Sequence, residues 1–126
     1  MPRDQYLQAY SDVDIVLDTF PFPGGTTTAE ALWMGVPTLT LAGTTLLGRQ
    51  GESMLGCLGM TDWVAYSTTE YVESALKKAS DLEGLAALRA TLREAALPSP
   101  LFDAAAFARN LTSAFCEMAH KHCNSR

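Results

Sequence analysis

Apolar and polar positions along the chain change period several times, and each change marks an element. Tyr6, Leu7 and Tyr10 fall at helical spacing and predict a short helix from Arg3 to Tyr10. Asp14-Ile-Val-Leu-Asp-Thr19 has an unbroken apolar center, as expected of a strand covered on both faces. Phe20-Pro-Phe-Pro-Gly-Gly25 then breaks regular structure and demands a loop. A helix follows from Thr27 to Met34, with Gly35 as its C-terminal stop. Pro37 introduces a second strand, Thr38 to Ala42, followed by a loop at Gly43-Thr-Thr45. Leu46 to Leu58 reads as a helix weakened by Gly48, Gly51 and Gly56. Trp63 to Tyr66 is a third short strand. Ser67-Thr-Thr-Glu70 fits a capping box before a helix from Tyr71 to Ala79. Another helix opens at Asp81 or Leu82 and runs to Ala96, where Pro98 and Pro100 end it. A last helix covers Asp103 to His120.

Strands alternating with helices imply right-handed βαβ units and a parallel sheet. The expected fold is therefore α/β, a partial Rossmann-like sheet closed by C-terminal helices, in a single domain over residues 1–126. Three strands make a small sheet, and a helix leading straight into the first strand looks like the second half of a doubly wound domain. Composition sharpens this picture. The chain is 48% hydrophobic and 18% charged, which excludes intrinsic disorder. Nine basic against fourteen acidic side chains give a net charge of -5, and such a chain lacks the basic field for general nucleic-acid or anionic-membrane binding. No apolar run approaches the ~20 residues that span a bilayer. Cys57, Cys116 and Cys123 form neither a disulfide framework nor a zinc pattern, so no metal is expected and a reducing cytoplasm suits them best.

The chemistry concentrates in Asp18-Thr-Phe-Pro-Phe-Pro-Gly-Gly-Thr-Thr-Thr-Ala-Glu30. Here a strand ends, a glycine loop turns, and a helix begins on three threonines. In open α/β sheets, ligands sit beyond the carboxyl ends of the strands. A helix start there offers free N–H groups and a positive dipole end to an anion. Gly24 and Gly25 allow close backbone approach, and Thr26, Thr27 and Thr28 add hydroxyls, so a diphosphate needs neither lysine nor metal. The same residues admit a purely local reading: Thr27-Thr-Ala-Glu30 is a capping box, with Thr27 capping the helix and Glu30 reaching back. The segment matches neither a Walker loop nor the G-x-G-x-x-G fingerprint.

Particular words go further. Asp14-Ile-Val-Leu-Asp-Thr-Phe-Pro, Gly24-Gly-Thr-Thr-Thr, Glu30-Ala-Leu-Trp-Met-Gly-Val-Pro37 and Thr40-Leu-Ala-Gly43 resemble the O-linked N-acetylglucosamine transferase family and its Spindly-like O-fucosyltransferase relatives. Leu88-Arg, Leu92-Arg and Ser99-Pro-Leu-Phe-Asp103 resemble that family's C-terminal helices. The resemblance implies a two-lobed GT-B fold, of which this chain is the last part of the donor-binding lobe. It implies sugar transfer from a UDP-sugar or GDP-sugar, as substrate rather than cofactor, to serine or threonine of an acceptor protein, without metal. By position, Thr26 and Thr27 would contact the donor diphosphate, and Glu30 the ribose hydroxyls. Tyr6 stands where the family often has a base-stacking histidine, Arg3 lies near a family basic position, and Pro23 replaces a common asparagine. The acceptor lobe and catalytic groups are expected elsewhere, so the chain alone should be inactive. A non-catalytic nucleotide-binding or protein-interaction module is the alternative.

The remaining polar and aromatic residues have plainer readings. His120 and His122 do not share a helix face and belong to a frayed tail. Cys57 and Cys116 read as small buried hydrophobes, and Trp33 as core. Arg49 is solvated or ion-paired, with donor contact as the other option. A sheet cut from a larger lobe leaves an edge open, so a homodimer is expected of the isolated chain.

Overall fold

The computed structural model describes residues 2–124. Helix α1 (Arg3–Gln8) passes through a 3₁₀ turn (Ala9–Asp12) into strand β1 (Val16–Leu17). After the glycine loop come α2 (Thr26–Trp33), β2 (Thr38–Leu41), a 3₁₀ turn (Leu47–Arg49) and α3 (Gln50–Cys57). A further 3₁₀ turn (Thr61–Trp63) leads into β3 (Val64–Ala65), followed by α4 (Thr68–Ser80), α5 (Leu82–Ala96) and α6 (Ala104–Asn124). The three strands are parallel in the order β1-β2-β3, with Val16 beside Thr38 and Thr40 beside Val64. This is the α/β sheet with C-terminal helices that the alternating pattern predicts.

β2 is the central strand and accordingly the most buried, with Thr38, Leu39 and Thr40 at 0–1% exposure. Leu39 joins Leu32, Leu55, Trp63, Val64, Ala65, Tyr71, Leu85 and Leu92 in one core. α4 packs on β2 and β3, α3 on β2, and α5 spans α2 and α4. Arg89 of α5 reaches the other end of the chain, donating to Asp14 (2.6 Å) and to the Tyr10 carbonyl (3.4 Å).

Local chemistry sets the element ends. Gly35 has φ +75° and closes α2 as a Schellman motif, its amide bonding the Leu32 carbonyl and that of Val36 the Ala31 carbonyl. Gly59, φ +71°, ends α3 in the same way, with Met60 donating to Leu55. Ser67 accepts from the Glu70 amide, and the Glu70 carboxylate reaches back one residue further than the usual box, to the Tyr66 amide. Asp81 caps α5 through the Gly84 amide.

Several expectations shift. β1 is two residues, not six, because only Val16 and Leu17 pair along β2. Leu46–Leu58 is not one helix: Gly48 lies against Gly43, where a Cβ would come within 3.1–3.3 Å of the facing backbone, and the chain turns there before α3 begins. Trp63 lies in a 3₁₀ turn ahead of β3. The last helix continues past His120 to Asn124, so both histidines are helical rather than frayed. Cys116 is exposed and Cys57 only half-buried. Trp33 is 39% exposed and packs edge-to-face on Phe102 (5.2 Å), between core and surface. Arg49 is ion-paired with Glu52 at 2.8 Å. Among the described residues, no helix is long and apolar enough to cross a membrane and no group of three His, Cys, Asp or Glu could hold a metal ion.

β1 is an edge strand. Val16 and Asp18 direct their amides at β2, so Leu17 between them turns its amide and carbonyl outward, and its side chain is 56% exposed. α6 has no buried residue. We propose that the isolated chain dimerizes across β1. Sedimentation at micromolar concentration should show a dimer, and a monomer at every concentration would refute it.

Candidate functional site

The site forms where β1 ends. Asp18, 6% exposed, is the first residue past the strand. The Gly24 amide donates to its Oδ1 (2.7 Å) and the Thr40 hydroxyl to its Oδ2 (2.8 Å). Its main-chain carbonyl accepts from the Tyr71 hydroxyl of α4 (2.8 Å). One residue thereby ties together the loop, the central strand and a helix far along the chain. Phe20, preceding the cis bond to Pro21, packs edge-to-face on Tyr71 at 5.6 Å, while Phe22 is 68% exposed.

Small residues let these groups converge. A Cβ on Gly24 would lie 2.8 Å from Thr28 Oγ1 and 3.3 Å from Asp18 Oδ1. One on Gly51 would overlap Thr40 and lie 2.9 Å from Asp18 Oδ2, which brings the first turn of α3 onto the carboxylate. One on Gly25 would meet the Gln50 side chain at 3.1 Å. Gly24 therefore makes room for the loop's own Asp18 and Thr28.

The N-cap of α2 lies two residues earlier than the capping-box reading places it. Gly25 is the N-cap and supplies no side chain, so no cap hydrogen bond forms. Thr27 does not cap, and Glu30 does not reach back. Instead Glu30 Oε1 accepts from Arg3 Nη2 (2.9 Å) and Oε2 from the Tyr6 hydroxyl (3.1 Å). Thr28 turns inward, its hydroxyl donating to the Gly24 carbonyl (2.9 Å). The first amide of α2 with a backbone acceptor is that of Ala29, on Gly25. The amides of Thr26, Thr27 and Thr28 find no acceptor among the described residues, and they sit at the positive end of the helix dipole.

Arg3, Thr26 and Glu30 line one cavity of about 240 Å³, with Leu7, Ala29, Trp33 and Phe102. Tyr6 joins this group through Glu30, whereas Gly24, Gly25 and Thr27 lie outside the cavity lining, toward the loop. The Tyr6 ring meets Tyr10 edge-to-face at 5.6 Å, and their hydroxyls are 2.9 Å apart. Tyr10 hydroxyl also lies 3.4 Å from the Thr27 carbonyl. Burial, then its hydrogen bond with Tyr6, holds the Tyr10 phenol protonated well above the usual tyrosine range. The Tyr71 phenol is raised as well, first by burial and then by the negative charge of Asp18.

The sequence assigns no site role of their own to Asp18, Thr40, Tyr71 or Gln50. An acidic residue closing an apolar parallel strand just before a glycine loop is a readable signal for Asp18. Nothing local marks Tyr71, which is 53 residues away.

A parallel α/β sheet with a glycine loop and an uncapped helix start at its carboxyl end defines a Rossmann-like arrangement. Residues 2–111 match the family model "Glycosyl transferase family 41"; the chain belongs to that family. It is 46% identical over 119 residues to the tomato (Solanum lycopersicum) protein "Probable UDP-N-acetylglucosamine--peptide N-acetylglucosaminyltransferase SPINDLY", covering 94% of this chain and 13% of that protein. The Arabidopsis thaliana protein of the same designation, with the suffix SEC, is 33% identical over 125 residues, 98% of this chain and 13% of that one. A mutant O-GlcNAc transferase from Thermobaculum terrenum superposes with a TM-score of 0.91 at 39% identity, over 99% of this chain and 24% of that one. The GT-B assignment rests on that match. The chain thus spans about an eighth of the curated relatives.

The phenols give the site an alkaline limit. A tyrosine raised above its ordinary value of 10.0 in the folded state binds its proton longer than it does unfolded, so its contribution is complete below pH 10 and is lost as pH rises toward the folded value. Melting temperature should therefore fall from pH 10 upward. Tyr71→Phe should flatten that slope; an unchanged slope would show that Tyr71 titrates as if exposed.

Proposed function

We propose that this chain is the donor-binding part of a protein O-glycosyltransferase, gripping the nucleoside diphosphate of a UDP-sugar or GDP-sugar and incomplete as a catalyst by itself. The observation that carries the reading is the uncapped start of α2: the amides of Thr26, Thr27 and Thr28 have no acceptor among the described residues, at the carboxyl end of a parallel sheet. The names of the relatives support it, since each reads "Probable UDP-N-acetylglucosamine--peptide N-acetylglucosaminyltransferase" and so pairs a nucleotide sugar with a peptide.

In sugar transfer, the bond between the anomeric carbon and the β-phosphate oxygen breaks, and negative charge grows on the diphosphate. Fixed amides and a helix dipole stabilize such charge without reorganizing. The dipole contributes ~0.3–1 kcal/mol per charge, up to ~2 when partly buried. The Thr27 hydroxyl adds a donor. Glu30 faces the same cavity as Thr26, and a carboxylate that accepts once on each oxygen retains lone pairs for ribose hydroxyls. Arg3 and Tyr6 hold Glu30 in place, with Arg3 itself 74% exposed and available to the nucleotide. The acceptor polypeptide and the groups that activate its hydroxyl belong to the rest of the enzyme.

In the intact enzyme, Thr27→Ala should weaken nucleoside-diphosphate binding by ~1.5–3 kcal/mol, the worth of a hydrogen bond to a charged group. Because Thr27 caps nothing, thermal stability should barely change; a loss of stability with affinity intact would return Thr27 to a structural role. Glu30→Gln should spare folding and weaken binding of ribonucleotides, bringing them close to their deoxyribose analogs. A mutant that still discriminates ribose as the parent does would remove Glu30 as the reader. Calorimetry with UDP and GDP decides the base.

A further inference from the structure

We propose that Asp18 is a positioning residue for the diphosphate, setting where along the glycine loop and α2 the phosphates are held. The inference rests on the donor-binding reading above and concerns a residue that the donor does not touch.

Gly24 is held from both sides. Its amide is taken by Asp18 Oδ1, and its carbonyl by the hydroxyl of Thr28 in the first turn of α2. Any displacement of the Asp18 carboxylate therefore passes through Gly24 to the helix start. There is little slack in this linkage, because a Cβ at Gly24 would already lie 2.8 Å from Thr28 Oγ1 and 3.3 Å from Asp18 Oδ1. The carboxylate is in turn fixed by Thr40 on the central strand and by the Tyr71 bond to its own carbonyl.

The consequence for a ligand is one of register. The Gly24 amide is spent inside the protein, and a buried negative charge lies behind it. A phosphate aimed at Gly24 would meet a claimed donor and a like charge. The unclaimed donors begin at Thr26, so the terminal phosphate is steered to the helix start. This role predicts an effect on the diphosphate end of the nucleotide alone. A residue that merely stabilizes the fold would lower affinity for all nucleotides together or for none.

The test uses the intact enzyme and compares affinity for UDP and UMP, or for GDP and GMP if the parent prefers guanosine. Asparagine is nearly isosteric, but its Nδ2 cannot accept from Gly24 or Thr40. Asp18→Asn should lower the preference for diphosphate over monophosphate roughly tenfold, about the factor set by one charge-assisted hydrogen bond, while monophosphate affinity changes little. Thr40→Val removes the donor to Oδ2 without entering the site and provides a second route if Asp18→Asn does not fold. It should reduce the same preference, and Thr40→Ser, which keeps the hydroxyl, should restore it. Folded variants that retain the parent's preference, or that lose both nucleotides in step with melting temperature, would overturn the proposal. A parent that binds neither diphosphate overturns the donor reading and this proposal with it. A parent that binds, responds to Thr27→Ala and ignores the Asp18 and Thr40 variants overturns this proposal alone.

Discussion

A buried carboxylate must be matched by donors or it destabilizes the fold by several kcal/mol, and the way Asp18 is matched organizes one end of the molecule. Its two oxygens take a hydroxyl from the central strand and an amide from the loop, and its carbonyl takes a phenol from α4. Hydrogen bonds to a charged group are worth ~1.5–3 kcal/mol each, so two of them offset a cost of that size. Sheet, loop and helix are thereby held in one relation, and the start of α2 inherits its position from it.

Close approach is the second constraint. Gly24, Gly48 and Gly51 each face backbone or polar atoms within 2.8–3.2 Å of where a Cβ would stand, or in actual overlap with it. Their role is to admit neighbors: Gly51 lets α3 come down on Thr40 and Asp18, and Gly48 lets the following turn rest on Gly43. Helix propensity counts these residues as a weakness in Leu46–Leu58. Packing makes them the reason that α3 starts where it does.

A third feature is what is left open. α2 has no cap of its own, while α4 and α5 are capped by Ser67 and Asp81. Thr28 spends its hydroxyl on Gly24 and Glu30 spends its carboxylate on Arg3 and Tyr6, so the threonine-rich start leaves its amides unclaimed among the described residues. Side chains cap α4, α5 and α6 but not α1, α2 or α3; of the uncapped starts, that of α2 directly follows the glycine loop, where free amides and the helix dipole favor an anion.

Periodicity alone determined the order of elements, the parallel sheet and the place of the glycine loop, because those follow from local rules: apolar runs for covered strands, 3.6-residue spacing for helices, glycine at a helix end. The motif words in Gly24–Thr28 and Glu30–Pro37 pointed to the family that the comparisons show. Three matters were decided only by the tertiary structure. Thr27-Thr-Ala-Glu30 has the letters of a capping box, yet Arg3 and Tyr6 on α1 draw Glu30 away from it, a competition that no local window contains. Cys116 and Trp33 are apolar enough for a core, yet their exposure depends on what packs against them. The grip on Asp18 comes from Thr40 and from Tyr71, the latter 53 residues downstream, brought within hydrogen-bonding distance only when the parallel strands align and α4 returns across the sheet.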